Sequence, residues 1–118
     1  MAEPEFDKDG YPTEATLDAI RLWPVKTMTD AAAAMDFAGA AWSYPDRWHL
    51  TERWEDPDWP SFPERVYEFS TGGWSGNEDI VAAIEANAIL QMLGAWSWQR
   101  GGHYEYRFPL PEPVGTPA

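Results

Sequence analysis

Two glycine-rich motifs hold the side chains best suited to chemistry in this chain of 118 residues. The first motif spans Ser70–Glu78 (STGGWSGNE) and the second spans Arg100–Tyr104 (RGGHY). Paired glycines let the backbone approach another group closely, because they carry no β-carbon. Loops on a rigid scaffold often carry function, and an indole, a guanidinium and an imidazole stand beside these glycines. The candidate binding residues are Gly73, Trp74, Arg100, Gly102 and His103.

The first motif could hold an anion or a nucleophile, but neither pattern is complete. No lysine follows its glycines, and Glu78 and Asp79 place carboxylates where they would repel phosphate. Ser75 could act as a nucleophile with His103, yet Asn77 stands where a nucleophile elbow needs glycine. Ser75 and Glu78 fit a helix capping box better. We therefore predict no catalytic residue, with a small serine hydrolase as an alternative.

Metal and cofactor chemistry find little support in the residue types. The chain has no cysteine, and its histidines, His49 and His103, lie far from any metal-ligand spacing. We predict neither a metal nor a cofactor. Arg100 follows Trp96 and Trp98, an arrangement typical of cation–π packing. The same residue types can clamp a nucleobase, so a small nucleotide-binding protein is one alternative.

The formal net charge of −12 limits the choice of partner. An acidic chain is repelled by the phosphate backbone, so direct binding of nucleic acid is disfavoured. The charge either keeps a small protein in solution or presents an acidic surface to a basic partner. In the second case the chain would be a nucleic-acid mimic that occupies a host defence protein.

The elements that position the motifs follow from apolar periodicity. Helices are predicted after the N-caps Thr13 and Thr29, and a long third helix is predicted from Ser75 to a C-cap at Gly101. Alternating apolar and polar residues predict three strands. They cover residues 47–54, 65–71 and 103–108.

This order, α-α-β-β-α-β, predicts a small two-layer α+β domain with helices packed on one face of about three strands. The long helix allows a right-handed crossover that would make the last two strands parallel. It would also hold the two glycine motifs roughly 30 Å apart, so that only molecular symmetry could join them. The opposite face of the sheet is expected to be polar, and to be either solvated or a binding surface. Its predicted residues are His49, Thr51, Arg53, Glu68, Ser70, His103, Glu105 and Arg107.

Composition divides the chain into a core and two tails. Residues 1–12 are predicted to be a flexible acidic arm, residues 13–109 a single domain, and residues 110–118 a proline-rich disordered tail. Most of the eight tryptophans are expected in the core. Between the first two strands, a loop over residues 55–63 is expected to tuck Trp59 and Phe62 inward. We expect neither a signal peptide nor a membrane span.

The two motifs together resemble a group of short proteins that tailed phages and prophages encode. The resemblance covers about residues 65–108 and implies a setting rather than a mechanism. Because no catalytic constellation is complete, we expect an accessory protein that acts in the host cytoplasm by binding a host or phage protein, without enzymatic activity. The apolar second half of the long helix leaves a homo-oligomer open as well.

Overall fold

The computed structural model describes residues 3–43, 47–53, 64–99 and 101–109. In these ranges the chain forms an α+β domain, as predicted, with helices against one face of an antiparallel sheet. The sheet has four strands in the order β1-β2-β4-β3, where three were expected. The elements are α1 (Glu14–Arg21), α2 (Met28–Ala40), β1 (Trp48–Arg53), β2 (Glu64–Ser70), α3 (Ser75–Ala86), α4 (Ala88–Leu93), β3 (Ala95–Gln99) and β4 (His103–Pro109).

The first two helices begin at threonine caps. The Thr13 hydroxyl accepts a hydrogen bond from the Thr16 amide, which confirms the predicted start of α1. Helix α2 begins earlier than predicted, because Thr27 rather than Thr29 is its N-cap. The Thr27 hydroxyl accepts from the Asp30 amide at 3.2 Å, and the Asp30 carboxylate accepts from the Thr27 amide at 3.2 Å. This reciprocal pair is a capping box that stabilises the first turn.

The capping box predicted for Ser75 and Glu78 is wrong. Trp74 occupies the N-cap position of α3 and makes no side-chain cap hydrogen bond. Ser75 is the first helical residue, and its hydroxyl donates to the phenol oxygen of Tyr11 at 3.3 Å. The hydroxyl therefore tethers the N-terminal segment instead of closing the helix.

The predicted long third helix is interrupted at Asn87. This buried residue has an extended backbone (φ −83°, ψ 97°) and caps α4, with its Oδ1 accepting from the Leu90 amide at 3.2 Å. Its Nδ2 donates to the carbonyls of Ile20 and Trp23, at the end of α1. An asparagine that satisfies three backbone groups in this way outweighs the continuation of one helix.

The end of the predicted helix is instead the strand β3, which changes the topology. A β-carbon on Gly94 would lie 2.5 Å from the Arg107 carbonyl oxygen, so only glycine fits this entry to the strand. Strand β4 pairs with both β2 and β3, and both pairs are antiparallel. The prediction that the strand over residues 103–108 runs parallel to β2 is therefore wrong. The crossover through α3 leads to β3, and β4 returns between them.

Aromatic residues dominate the core between sheet and helices. Tyr67, Phe69, Tyr106 and Phe108 are buried on the helix-facing side of β2 and β4. Trp48 stacks on Phe69 with ring centroids 4.4 Å apart. A further set of tryptophans is buried or packed against the core, as expected: Trp23, Trp42, Trp48 and Trp96. Trp59 and Phe62 lie outside the described residues.

The described part of the predicted arm contacts α1. The Glu5 amide donates to the Thr16 hydroxyl at 2.7 Å, and that hydroxyl donates back to the Glu5 carbonyl at 2.8 Å. Phe6 and Pro12 form an isolated bridge, and Tyr11 stacks on Trp74 at 4.9 Å. The flexibility of this arm stays a prediction. The proline-rich tail over residues 110–118 lies outside the described residues.

Candidate binding site on the polar face of the sheet

The two glycine motifs meet inside one chain, against the prediction of a separation near 30 Å. The Thr71 amide donates to the Gly102 carbonyl at 3.0 Å, and a β-carbon on Gly102 would lie 2.4 Å from the Thr71 hydroxyl. The Gly73 amide donates to that same hydroxyl at 3.3 Å. The prediction fails because α3 ends at Ala86 and the β3–β4 hairpin returns the chain to the end of β2. No symmetry is needed to join them.

The glycine conformations make this junction possible. Gly72 and Gly73 have φ of 65° and 76°, and Gly101 and Gly102 have φ of 85° and 75°. Side chains rarely adopt this left-handed region. The Gly72–Gly73 turn leads from β2 into α3, and the Gly101–Gly102 turn leads from β3 into β4. Two candidate residues therefore lie against Thr71: Gly73 donates to its hydroxyl, and Gly102 leaves space for that hydroxyl.

Beside this junction lies an open cavity of about 680 Å³ on the helix-free face of the sheet. Ser70 and His103, which are paired across β2 and β4, hydrogen-bond through Oγ and Nδ1 at its edge. The residues that line the cavity belong to β1, to the position just before β1, and to the two central strands, β2 and β4. They are Arg47, His49, Glu68, Phe69, Ser70, His103, Tyr104 and Glu105.

Sheet register places the polar side chains of this cavity in two neighbouring rows. His49, Glu68 and Glu105 face one another across β1, β2 and β4. One step along the same face, Ser70 lies opposite His103, and Arg47 directly precedes β1. Residues two apart on a strand share a face, so the rows lie side by side. The predicted polar face is thus present, and part of it lines a cavity.

Arg107, on the same face, forms ion pairs with acidic side chains, whereas Arg47 does not within the described residues. Arg107 contacts Glu105 and Glu64, and the hydrogen bond that its guanidinium donates to Glu105 is the main cause that raises its pKa. Among the described residues, Arg47 and His49 make neither a hydrogen bond nor an ion pair. Arg47, His49 and His103 therefore offer hydrogen-bond donors to this cavity, beside the carboxylates of Glu68 and Glu105.

Arg65 lies on the other face and belongs to the structure of the core. Its Nε donates to the Tyr67 oxygen at 2.8 Å, and the Tyr67 hydroxyl donates to Asp36 at 2.8 Å. Burial lowers the pKa of Arg65, but Tyr67, Asp36 and Glu52 outweigh burial and raise it overall. Burial and the Asp36 contact raise the pKa of Tyr67 well above its usual range. This network ties α2 to β1 and β2.

The remaining candidate residues divide between roles. Trp74 covers Gly76, where a β-carbon would lie 2.2 Å from the indole, and it stacks on Tyr11. Its role in binding stays a prediction. Arg100 lies outside the described residues, and its role stays a prediction. Ser75 hydrogen-bonds Tyr11, so the serine that accompanies His103 is Ser70.

Sequence reasoning missed Arg47 and did not select His49, Glu68 or Glu105 as binding residues. The alternation of β1, β2 and β4 had placed the last three on one polar face, which is the signal that could have found them. Arg47 begins the strand predicted over residues 47–54, so the same alternation puts it on the face of His49, although it was not named among that face's residues. The two rows of side chains exist because β4 lies directly beside β2 in the sheet.

A second cavity of about 590 Å³ lies between α1 and α2, with Leu22, Trp23 and Ala33 in its lining. It is mainly apolar, so it differs in chemistry from the polar-face cavity. Across the residues that the structure describes, no group of three histidine or acidic side chains could hold a metal ion. In the same part of the chain, every helix is too short or too polar to cross a membrane.

Comparison of this chain with protein-family models, with curated proteins and with solved structures found no match. The resemblance to short phage proteins therefore stays a prediction that rests on the two motifs.

Proposed function

We propose that this chain is a non-enzymatic binding protein that holds a small anionic ligand of the mononucleotide class in the polar-face cavity. One observation carries the proposal. Both histidines of an acidic chain line the same cavity as Arg47, which makes neither a hydrogen bond nor an ion pair within the described residues. These side chains bring hydrogen-bond donors for an anion together, beside the carboxylates of Glu68 and Glu105.

The two rows of the cavity suit the two ends of a nucleotide. Arg47, Ser70 and His103 offer donors to phosphate oxygens, and arginine suits phosphate geometry in particular. Glu68 and Glu105 accept hydrogen bonds, which fits ribose hydroxyls or a base amino group. The volume of about 680 Å³ lies in the range of small-molecule sites.

The non-enzymatic part of the proposal rests on what surrounds Ser70 and His103. Among the described residues, the imidazole of His103 makes one hydrogen bond, and its partner is the Ser70 hydroxyl. A serine nucleophile needs a base that a third group orients. No described carboxylate hydrogen-bonds this imidazole, so the pair supports binding better than acyl transfer.

Calorimetric titration with ADP, adenosine and inorganic phosphate tests the proposal. We expect ADP to bind more tightly than adenosine, and Arg47→Ala to weaken ADP binding about tenfold, or about 1.4 kcal/mol. Arg21→Ala is the matched control, because it removes the same charge from α1, where Arg21 contacts Glu14 and Asp18. It should leave the affinity within about twofold.

Two results would contradict the proposal. If neither ADP nor phosphate gives heat at about 1 mM, the proposal of a small anionic ligand is wrong. A dissociation constant at that limit corresponds to a binding free energy of roughly −4 kcal/mol. Conversion of ADP to AMP and phosphate during the titration would remove the non-enzymatic part.

The net charge of −12 favours a second candidate, the acidic mimic that occupies a basic protein. Its binding surface would be the acidic remainder of the molecule, outside the polar-face cavity. Such binding is fast and weakens steeply with salt. Capture of a basic nucleic-acid-binding protein at low salt, unaffected by Arg47→Ala, would favour this candidate; no basic protein at low salt would reject it.

A phage origin and action in the bacterial cytoplasm are part of the proposal. The support is the pair of motifs, Ser70–Glu78 and Arg100–Tyr104. The partner in that setting is a host or phage component.

A further inference from the structure

We infer that two copies of this chain pair edge to edge along β3, joining their sheets into one. Strand β3 is an edge of the sheet, and among the described residues it pairs with β4 alone. Alternate residues of an edge strand present their backbone N–H and C=O groups away from the sheet. A second extended strand satisfies these groups. The inference does not depend on the proposed ligand.

The charge pattern selects β3 over the other edge. Edge strands are commonly protected by charged residues, and the sequence of β1 includes Glu52 and Arg53. Strand β3 reads AWSWQ and has no charged residue. In a chain of net charge −12, a neutral edge is where two copies approach with least repulsion.

The sequence of β3 selects a second copy as the occupant. A two-fold axis beside Ser97 pairs the strand with itself in antiparallel register. Trp96 then lies opposite Trp98 of the second copy, and Ala95 lies opposite Gln99. Both tryptophans are on the helix-facing side, because they pair with Tyr106 and Tyr104. The four indoles of the pair would contact one another across the axis.

Exposed apolar surface supports this arrangement. The Trp98 side chain is 61% exposed, although it belongs to the face of the sheet that forms the core. Met92 and Ile89, on the helix directly before β3, are 79% and 43% exposed. Pairing through β3 would remove the indole of Trp98 from water, which is the main gain in such contacts.

The mass of the wild-type chain in solution is the first test. Sedimentation equilibrium should give twice the 13.4 kDa of one chain. Because the two copies repel each other electrostatically, association should strengthen between about 0.05 and 0.5 M salt. A wild-type monomer at about 100 µM, equivalent to an association weaker than roughly −5.5 kcal/mol, overturns the inference.

Crosslinking tests the register at the axis. The chain has no cysteine, so Ser97→Cys introduces a single thiol beside the two-fold axis. Directly opposite β-carbons lie about 4.5–5.5 Å apart, close enough for a disulfide after a small adjustment. With oxidised glutathione we expect Ser97→Cys to form a covalent dimer. Thr51→Cys, on the same face of the β1 edge, is the control and should stay uncrosslinked.

Substitution of exposed apolar residues distinguishes pairing along β3 from non-specific hydrophobic association. Trp98→Lys should give a monomer, because it places a charge in the contact, and Leu22→Lys on α1 should leave the dimer intact. Thermal unfolding checks that each variant is folded. A dimer that survives Trp98→Lys, or equal crosslinking of Ser97→Cys and Thr51→Cys, would place the contact elsewhere and overturn the inference.

Discussion

Thr71 is the residue at which the two glycine turns come together. It is 2% exposed, its amide donates to Gly102, and its hydroxyl accepts from Gly73. The polar-face cavity begins one residue earlier, at Ser70. The junction therefore sets the position of Ser70 and His103 relative to each other.

A comparison of two alanine variants tests this junction. Gly73 and Gly102 share nearly the same φ, but a β-carbon has open space at Gly73 and would lie 2.4 Å from the Thr71 hydroxyl at Gly102. Gly73→Ala should cost about 1 kcal/mol of stability from backbone strain. Gly102→Ala should cost roughly 1–3 kcal/mol more from crowding, measured by urea unfolding.

The double variant Thr71→Ala with Gly102→Ala shows whether the excess arises from this contact. Removal of the hydroxyl should recover most of the added loss, because the two residues interact directly. Equal losses in Gly73→Ala and Gly102→Ala would contradict the junction.

Tyr106 links stability to alkaline pH. Its hydroxyl donates to the Leu90 carbonyl, and burial raises its pKa from 10.0 to about 12. A raised pKa means that the folded chain keeps a proton that the unfolded chain loses. The contribution is therefore complete below pH 10 and declines as pH rises toward 12, by on the order of 2–3 kcal/mol.

Urea unfolding at pH 9 and pH 11.5 measures this effect in the wild type and in Tyr106→Phe. The variant should begin about 1 kcal/mol less stable, because the Leu90 carbonyl loses its donor. It should then lose less stability than the wild type as pH rises. Parallel pH profiles would show that Tyr106 does not carry the dependence.

At the scale of elements, the N-terminal segment is the clearest case in which the structure alters an expectation. A flexible acidic arm, as predicted over residues 1–12, would be dispensable for folding, so its deletion would leave the melting temperature nearly unchanged. Glu5 exchanges two hydrogen bonds with Thr16, and its carbonyl also accepts from the Thr13 amide. We now expect the deletion to lower the melting temperature by about 5 °C or more, since 1 kcal/mol corresponds to several degrees.

Deletion of residues 1–3 is the matched control, because it leaves Glu5 in place. Calorimetry of both deletions decides between the two expectations. An unchanged melting temperature after removal of residues 1–10 would mean that these contacts add nothing to stability.

Local signals predicted several elements well. Residues close together in sequence indicate the cap at Thr13, the alternation of β2, and the polar and apolar faces of β4. The α+β class followed from them. These features depend on periodicity and capping, which operate over one or two turns.

The rest depended on contacts distant in sequence. Asn87 ends α3 because its side chain reaches Ile20 and Trp23, which no pattern near residue 87 reveals. Gly94 and the alternation of β3 were a local signal, but a continuous apolar stretch suggested helix instead. Without β3, neither the antiparallel β4 nor the meeting of the glycine motifs could be predicted.

At the scale of the whole molecule, the proposed function rests on where the polar side chains lie. The chain carries a net charge of −12, yet its two histidines and Arg47 gather on one face of the sheet. The opposite face packs against helices and forms the aromatic core. The apolar cavity between α1 and α2 lies apart from this cluster and offers different chemistry.

The most direct test of the account is a titration of isotope-labelled protein with ADP, followed by the amide resonances. The account predicts that shifts concentrate at His49, Ser70 and His103 and saturate together with one dissociation constant. Shifts confined to Leu22 and Trp23 in the other cavity would contradict it. So would the absence of shifts at about 1 mM ADP, which limits the binding free energy to roughly −4 kcal/mol.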